Sequence, residues 1–230
     1  MSITPVRRRL DRKQIVDTAV ELADENGIDT VSMRNIAERL GVTAMALYKH
    51  VANRSELLDE MLDQALSDIE SIHATEGWIS TVRARIFASR EVLASHPWVR
   101  DAIESGDHAT PRTLAHMDSL MEAMFTGGLS PDLVHHAMHA LSTRMWGFTR
   151  DVLPTPRVPN NPVERSAAMA EFSMLYPSIV RMATTSPHAG QACDEGAEFT
   201  FALDLILGSI QHLHERGWNR STPARKIIGH

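Results

Sequence analysis

Two groups of side chains in this sequence have the types and spacing to do chemistry. The first lies in residues 32–51, SMRNIAERLGVTAMALYKHV. Thr43, Ala44 and Met45 stand together at the start of a short helical stretch, and small apolar groups there suit thymine methyls. Tyr48, Lys49, His50 and Arg54 follow, and Ser32 and Arg34 precede them by one helix. These hydroxyls, cations and imidazole are phosphate-contacting types, which position a protein on a duplex without specifying sequence. Arg34 also has the fork to reach a guanine edge. The second group is Arg85, Ser89, His116, Met117, Met121, His135, Met138, His139 and Trp146. Adaptable Met side chains suit a pocket for apolar ligands, with Arg85 or a histidine meeting one anionic or polar group. Both groups have a plainer reading: surface Arg and Lys are often just solvated, and a Met stripe at helical spacing is usually core.

Other reactive residues offer less. His135 and His139 are four apart on one helical face with His136 beside them, a spacing that could hold Zn or Ni. No Cys or acidic pair completes the set nearby, so no metal and no cofactor are expected. Cys193 is the only cysteine, which excludes an intramolecular disulfide and a multi-thiolate cage. No Gly-rich phosphate loop, nucleophile elbow or His-Glu metal motif is present, and no enzyme activity is expected.

The elements that must carry these residues are helices almost throughout, since alternating β-branched runs are absent. The first helix spans about Asp11 to Asn26, with Ile15, Ala19, Leu22 and Ala23 inward and Asp17, Glu21, Asp24 and Glu25 towards water. Asn26-Gly27 stops it. Ser32 caps a second helix to Leu40, Gly41 turns the chain, and a third helix of about two turns runs from Thr43 to about His50. Ala37 is small where the two helices touch, and Val42, Leu47 and Val51 close the little core. That is a helix-turn-helix pattern, whose second helix enters the major groove. Asn53 or Ser55 caps a longer helix from Glu56 to about Ile72. Further helices follow at about Trp78–Ser95, Trp98–Glu104, Pro111–Phe125, Pro131–Val152, Glu164–Thr184 and Asp194–Glu215. The four prolines of Pro154–Pro162 make a loop.

Charge first speaks against nucleic acid: the 230 residues carry a formal −6. The distribution reverses that. Residues 1–58 hold nine Lys/Arg and eight Asp/Glu, so the remaining chain holds the whole deficit, −7. Arg7, Arg8 and Arg9 are placed as a basic arm for backbone or minor groove. No apolar run follows them and no stretch is long enough to span a bilayer, so no signal peptide and no membrane partner are expected, and the cytoplasm is the expected location.

Residues 10–66, above all LGV…LYKHV.NRSELL, resemble the DNA-binding domain of the TetR family of transcriptional regulators. EFTFALDLILGSIQHL (Glu198–Leu213) resembles the last long helix of the tetracycline-repressor branch, and GWIST near Trp78 and Ser95-His96 resemble its middle helices. The resemblance implies an all-α chain: a three-helix DNA-binding domain (1–53), a larger helical effector-binding and dimerisation domain (54–216) and a tail (217–230). Arg34, Ala44 and Met45 match positions that approach bases. Ser32, Thr43, Tyr48, Lys49, His50 and Arg54 match positions at or near phosphates. That branch has Gln-Pro where this chain has Ala44-Met45, so a different operator is implied. Its drug- and metal-site positions match Glu70, Arg85, Ser89 and Ile103 here, and Asp151 matches an acid that reaches the partner's pocket. The lost metal ligand and the added cation argue against a magnesium–tetracycline effector.

The implied function is a ligand-responsive repressor. It binds double-stranded, palindromic operator DNA as a homodimer, and a small, mainly apolar effector releases it. The dimer is expected on helices 131–152 and 194–215, the latter through Phe199, Leu203, Ile206, Leu207 and Ile210, with Ala202 and Gly208 permitting close approach. Two other readings fit the residues: a helical protein-interaction adaptor, and a carrier or enzyme using the Met/His-rich cavity.

Overall fold

The structure is a computed structural model, and it describes residues 10–70, 76–106, 108–145, 159–185 and 194–219. Among them only helices and turns occur. Helix α1 is Arg12–Asn26. Asp11 caps it by accepting from the Gln14 N–H at 2.9 Å, and Gln14 Oε1 accepts in return from the Asp11 N–H at 3.2 Å. After a short 3₁₀ turn at Ile28–Thr30 come α2, Met33–Leu40, and α3, Ala44–Leu47. Helix α4, Arg54–Ala65, is capped by Asn53, whose Oδ1 accepts from the Glu56 N–H at 2.9 Å. A short α5, Ser67–Glu70, follows it. The expected single helix to Ile72 breaks here because the Ser67 hydroxyl donates to the Gln64 carbonyl at 2.7 Å, competing with the main-chain ladder.

Helices α6 (Trp78–Ser95), α7 (Trp98–Ser105), α8 (Pro111–Thr126) and α9 (Pro131–Met145) continue the chain. Their starts agree with the sequence reading; residues 146–152 of the expected ninth helix lie outside the described set. The turn after α8 contains Gly127, where an added Cβ would lie 2.4 Å from Cδ1 of Trp78. That close approach leaves the buried indole free to donate to Gln211 Oε1 at 3.0 Å.

The chain divides into two compact units, Met1–Gly147 with Ile206–His230, and Phe148–Leu205. In the first unit one buried core runs without a break from Ile15 and Ile36 through Leu57, Met61 and Ile69 to Trp98, Val99 and Ala102. It does not stop at residue 53, so the helix-turn-helix shares its interior with α4, α5 and α7. One polar joint lies beside this core. Asp24 Oδ1 accepts from the Trp98 indole N–H at 2.7 Å and lies 2.8 Å from His96 Nδ1. Asp24 is exposed, as its sequence position suggested, yet its carboxylate is engaged: it anchors the α6–α7 corner to α1.

In the second unit the expected helix Glu164–Thr184 is two helices, α10 (Pro162–Leu175) and α11 (Pro177–Thr185). Pro177 has no N–H to give the ladder and its ring clashes with the preceding turn, so the helix restarts there. No residue of α10 is buried. Helix α12 spans Glu195–Glu215. Of its expected dimer stripe, Phe199, Leu203, Leu207 and Ile210 are at or below 5% exposure within the chain, and Ile206 is partly exposed.

Replacing Asp24 by Ala strands the Trp98 indole N–H, whose ring is 2% exposed. Loss of a hydrogen bond to a charged acceptor, with a buried donor left over, costs about 1–3 kcal/mol. Urea denaturation of Asp24→Ala should show that loss, and an unchanged midpoint would remove the joint from the stability of the fold.

Candidate functional site: an exposed reading face and a Met/His groove

The helix-turn-helix is built on Gly41, which sits at φ 66° in the left-handed region that a side chain resists. Its turn is tied by Val42 N–H to Ala37 carbonyl at 2.9 Å, and Ala37 is 4% exposed, leaving α3 room to cross α2. Helix α3 has one turn, not the expected two. The His50 and Val51 N–H groups fold back onto the Leu47 carbonyl at 2.8 and 3.0 Å, and Val51, 1% exposed, is drawn into the core. Tyr48, Lys49 and His50 thus stand on a turn, not on a second helical turn.

The face that this turn presents is open. Met45 is 71% and Tyr48 49% exposed, and Arg34, Thr43 and Lys49 are exposed as well. Ala44 is different from its neighbour, since it packs partly against the head's core. Ser32 Oγ accepts from the Asn35 N–H at 3.1 Å, so it caps α2 and keeps its own hydrogen. Thr43 makes no side-chain cap. Arg54 is already engaged: its Nε donates to the Val31 carbonyl at 2.9 Å and Nη2 to Ile28 at 3.3 Å. Beside the phosphate contact expected of it, this still exposed side chain ties the start of α4 to the turn before α2.

The cations of the head sort into two sets. Arg39 grips Glu25 with both terminal nitrogens at 2.6 and 2.5 Å, Lys13 pairs with Asp17, and Arg12 pairs with Glu56 and Glu60. These neighbours raise the Arg12 and Arg39 guanidiniums and hold Glu25, Asp17 and Glu56 below the usual carboxylate range, for Glu56 chiefly through the Ala52 N–H. Arg34 and Lys49 have no such partner among the described residues. The acids of α1 are engaged within the chain, whereas Arg34 and Lys49 are exposed without an ion pair, as are the acids Asp29 and Glu38. Arg7, Arg8 and Arg9 lie outside the described residues.

The second group of side chains separates into two places. Met117, Met121, His135, Met138 and His139 line one groove of about 400 Å³ between α8 and α9, joined by Phe125, Pro131, Val134 and Ser142. Phe125, Pro131, Val134 and Ser142 are not among the residues expected from the sequence, although each lies one helical turn from one that is. The rings of His135 and His139 meet edge to face at 4.7 Å, while His136 packs on Trp218 at 5.4 Å. Among the described residues no cluster of three His, Cys, Asp or Glu forms. Arg85, Ser89 and His116 do not line that groove; they meet where α6 packs on α8. Ser89 Oγ lies 3.1 Å from His116 Nε2, and burial first, then the Arg85 charge, pushes the His116 imidazole down to about 4. Trp146, Asp151, Cys193 and the side chain of Glu70 lie outside the described residues.

Comparison with known proteins places both halves. The family "Bacterial regulatory proteins, tetR family" matches residues 15–61, and "Tetracyclin repressor-like, C-terminal domain" matches residues 73–213. An HTH-type transcriptional regulator of Saccharopolyspora erythraea is 31% identical over 60% of this chain and 59% of its own length. The HTH-type transcriptional repressor DrrR1 of Streptomyces coeruleorubidus is 33% identical over 54% of this chain and 47% of its own. The chain thus spans about half the length of these curated relatives. Among solved structures, the Streptomyces coelicolor TetR family protein ActR in complex with actinorhodin superposes with a TM-score of 0.69. That likeness, at 22% identity over 92% of this chain and all of that one, is one of fold. In addition, no helix among the described residues is long and apolar enough to cross a membrane.

The buried imidazole gives a pH test. His116 is depressed in the fold relative to its ordinary value near 6.5, so between pH 6.5 and 4 the unfolded chain binds more protons. Stability therefore falls as pH drops through that window, by up to about 3 kcal/mol from this group, and is unaffected by it above pH 7. Denaturation at pH 7 and pH 4.5 should show the drop, and His116→Gln should flatten it; an equal drop in the variant would assign it to other groups.

Proposed function

Since the chain belongs to the TetR family of bacterial regulatory proteins, we propose that it is a ligand-responsive transcriptional repressor. Residues up to about 53 read operator DNA, and the helices beyond take a small, mainly apolar effector and pair two chains. The observation that carries this reading is the sorting of charge in the head: Arg39, Lys13 and Arg12 are engaged by carboxylates, whereas Arg34 and Lys49 are exposed without an ion pair on the same two helices and turn that expose Met45 and Tyr48. Unpaired cations beside an apolar, base-sized projection are what phosphate positioning and thymine contact need. A palindromic site and a homodimer follow from the reading-head geometry, which requires two heads about a DNA turn or more apart.

The effector enters as population shift: it binds the non-operator state more tightly, and a coupling of about 1–3 kcal/mol suffices for five- to 150-fold release. The Met-lined groove of about 400 Å³ supports an apolar body for that ligand. The dimer contact moves from the stripe that sequence favoured. With Phe199, Leu203, Leu207 and Ile210 buried inside the chain, the face of α12 left for a second copy carries Phe201, 65% exposed, and Leu205, 56% exposed. An uncovered pair of large apolar side chains one turn apart fits an isologous helix contact.

Selection of bound DNA from a random pool should enrich a palindrome, and none enriched would end the regulatory reading. On that site Lys49→Ala should lower the log–log salt slope by about one per head, whereas Arg39→Ala, its guanidinium already paired, should leave the slope alone. Equal slopes for Lys49→Ala and the parent chain would detach the reading face from DNA. Phe201→Asp with Leu205→Asp should shift sedimentation from dimer to monomer without loss of helicity, and a persisting dimer would place the contact elsewhere.

A further inference from the structure

The cluster at the α6–α8 contact fixes its own proton. Ser89 Oγ donates to the Arg85 carbonyl at 2.9 Å, one turn back along α6. A hydroxyl has one hydrogen, so the same oxygen accepts at its other contact. His116 Nε2, 3.1 Å away, therefore carries the N–H and donates to Ser89. The other ring nitrogen, Nδ1, is then a bare acceptor. It is buried without a hydrogen-bond partner, in a side chain only 4% exposed, and the buried Nε–H of Arg85 is a donor without a partner. No carboxylate pairs with Arg85 among the described residues. Unmade hydrogen bonds of buried groups are costly and rare, and two in one cluster mark a place built for something absent.

A ligand that answers this arrangement must bring an acceptor to Arg85 and a donor to His116. Arg85 is a permanent cation, so its acceptor is best an anion. An anion alone would set its lone pairs against the lone pair of Nδ1. We propose that Arg85, Ser89 and His116 form the head-group site for an apolar carboxylic acid, which binds together with one proton taken from solvent. The carboxyl oxygens accept from Arg85 Nε, and the proton lies between the carboxyl group and His116 Nδ1. Whether that proton rests on oxygen or nitrogen, the count is the same: one carboxylate and one H⁺ bound, nothing released. The apolar remainder meets the buried side chains that flank the cluster on the same helices, Val82, Ile86 and Leu120.

Other charges do not supply the missing proton. Of the helices packed on α8, α4 offers Asp59, Glu60 and Asp63, which are engaged by His108, Arg12 and the Arg112 N–H. Helix α9 offers Asp132, His135, His136 and His139; His136 lies 3.8 Å from Asp132, and the rings of His135 and His139 meet each other. On α5 the side chains of Asp68 and Glu70 lie outside the described residues. The charge bearing on His116 is that of Arg85, and with burial it keeps the ring neutral until a ligand arrives.

This inference rests on the reading of the helical body as an effector domain and names the effector's chemical class. Isothermal titration calorimetry of the full chain with octanoate, decanoate and 2-naphthoate at pH 7, in phosphate and in Tris, measures the proton count directly. At least one acid should bind one site per chain with uptake of about one proton, and its affinity should fall about tenfold from pH 7 to pH 8. Arg85→Met should weaken that acid at least tenfold, and His116→Phe should abolish the proton uptake. If Arg85→Met fails to fold by circular dichroism, the proton count on the parent chain decides alone. Binding of none of the three acids, binding without proton uptake, or equal affinity for 1-decanol and decanoate would overturn the proposal. The regulatory reading fails separately: an acid bound with its proton by a chain that selects no operator would sink that reading and leave this one standing.

Discussion

The hydrogen bond from the Trp98 indole to Asp24 is the contact on which the arrangement of the first unit turns. A carboxylate on the last turn of α1 would ordinarily face water. Here it reaches the corner between α6 and α7, accepts the Trp98 N–H and holds His96 beside it. Around it the buried core passes from the reading head into α4, α5 and α7 without a seam. A head with its own closed core could swing on α4 as on a hinge. A head that shares its interior with α7 moves only when α7 moves. Under the proposed function this is how a ligand near α6 and α8 reaches DNA: a displaced α6–α7 corner carries α1 with it, and α1 carries α2 and α3.

The same head solves a charge problem. It must approach a polyanion, yet α1 is acidic and the whole chain carries −6. The solution is internal pairing. Glu25 is gripped by Arg39, Asp17 by Lys13 and Gln64, Asp24 by Trp98 and His96, and Glu56 by Arg12 and the Ala52 N–H. Exposed pairs of this kind add little stability, often less than about 1 kcal/mol each. Their larger effect is on the field, because each pair removes both its acid and its base from the long-range sum. Among the described residues of the head, what remains outward without an ion pair or side-chain hydrogen bond is Arg34 and Lys49 among the cations, and Asp29 and Glu38 among the acids. Under the proposed function, the negative remainder of the chain opposes contact with DNA except through the head, which limits non-specific binding instead of forbidding DNA.

Helix existence was legible from apolar spacing and caps, and α6 even agrees to the residue. What the sequence hid was decided by single competing bonds. Helix α3 is half its expected length because Val51 gains more by burial than Tyr48–His50 gain by staying helical. The helix expected over 164–184 is two because Pro177 lacks the N–H that the ladder needs, although the apolar spacing runs on through it. The hydrogen bonds of Arg54 were hidden because a charged residue after a reading helix carries no mark of its partner; only the fold brings the Val31 and Ile28 carbonyls to it. The stripe on α12 was read correctly as apolar, but periodicity alone does not say whether such a face meets its own chain or a copy. The Met/His groove was partly legible, since helical spacing gathers Met117 with Met121 and His135 with His139. That Arg85 and His116 belong elsewhere required the α6–α8 contact itself.

That contact also shows how stability and function divide the interior. A buried imidazole with an unsatisfied nitrogen and a guanidinium with an unsatisfied N–H each cost the folded chain something that leucines would not. The surrounding helices bear it because fully buried apolar side chains flank the cluster on both, Val82 and Ile86 on α6 and Leu120 on α8. Filling the cluster with apolar side chains of similar volume should therefore stabilise the chain. If the same filling also removed ligand response, the missing hydrogen bonds would be the site's working part: free energy left unclaimed in the empty protein and recovered when a ligand completes them. A ligand that recovers it in one arrangement of α6 and α8 more fully than in another shifts the balance between those arrangements by that difference and by no more.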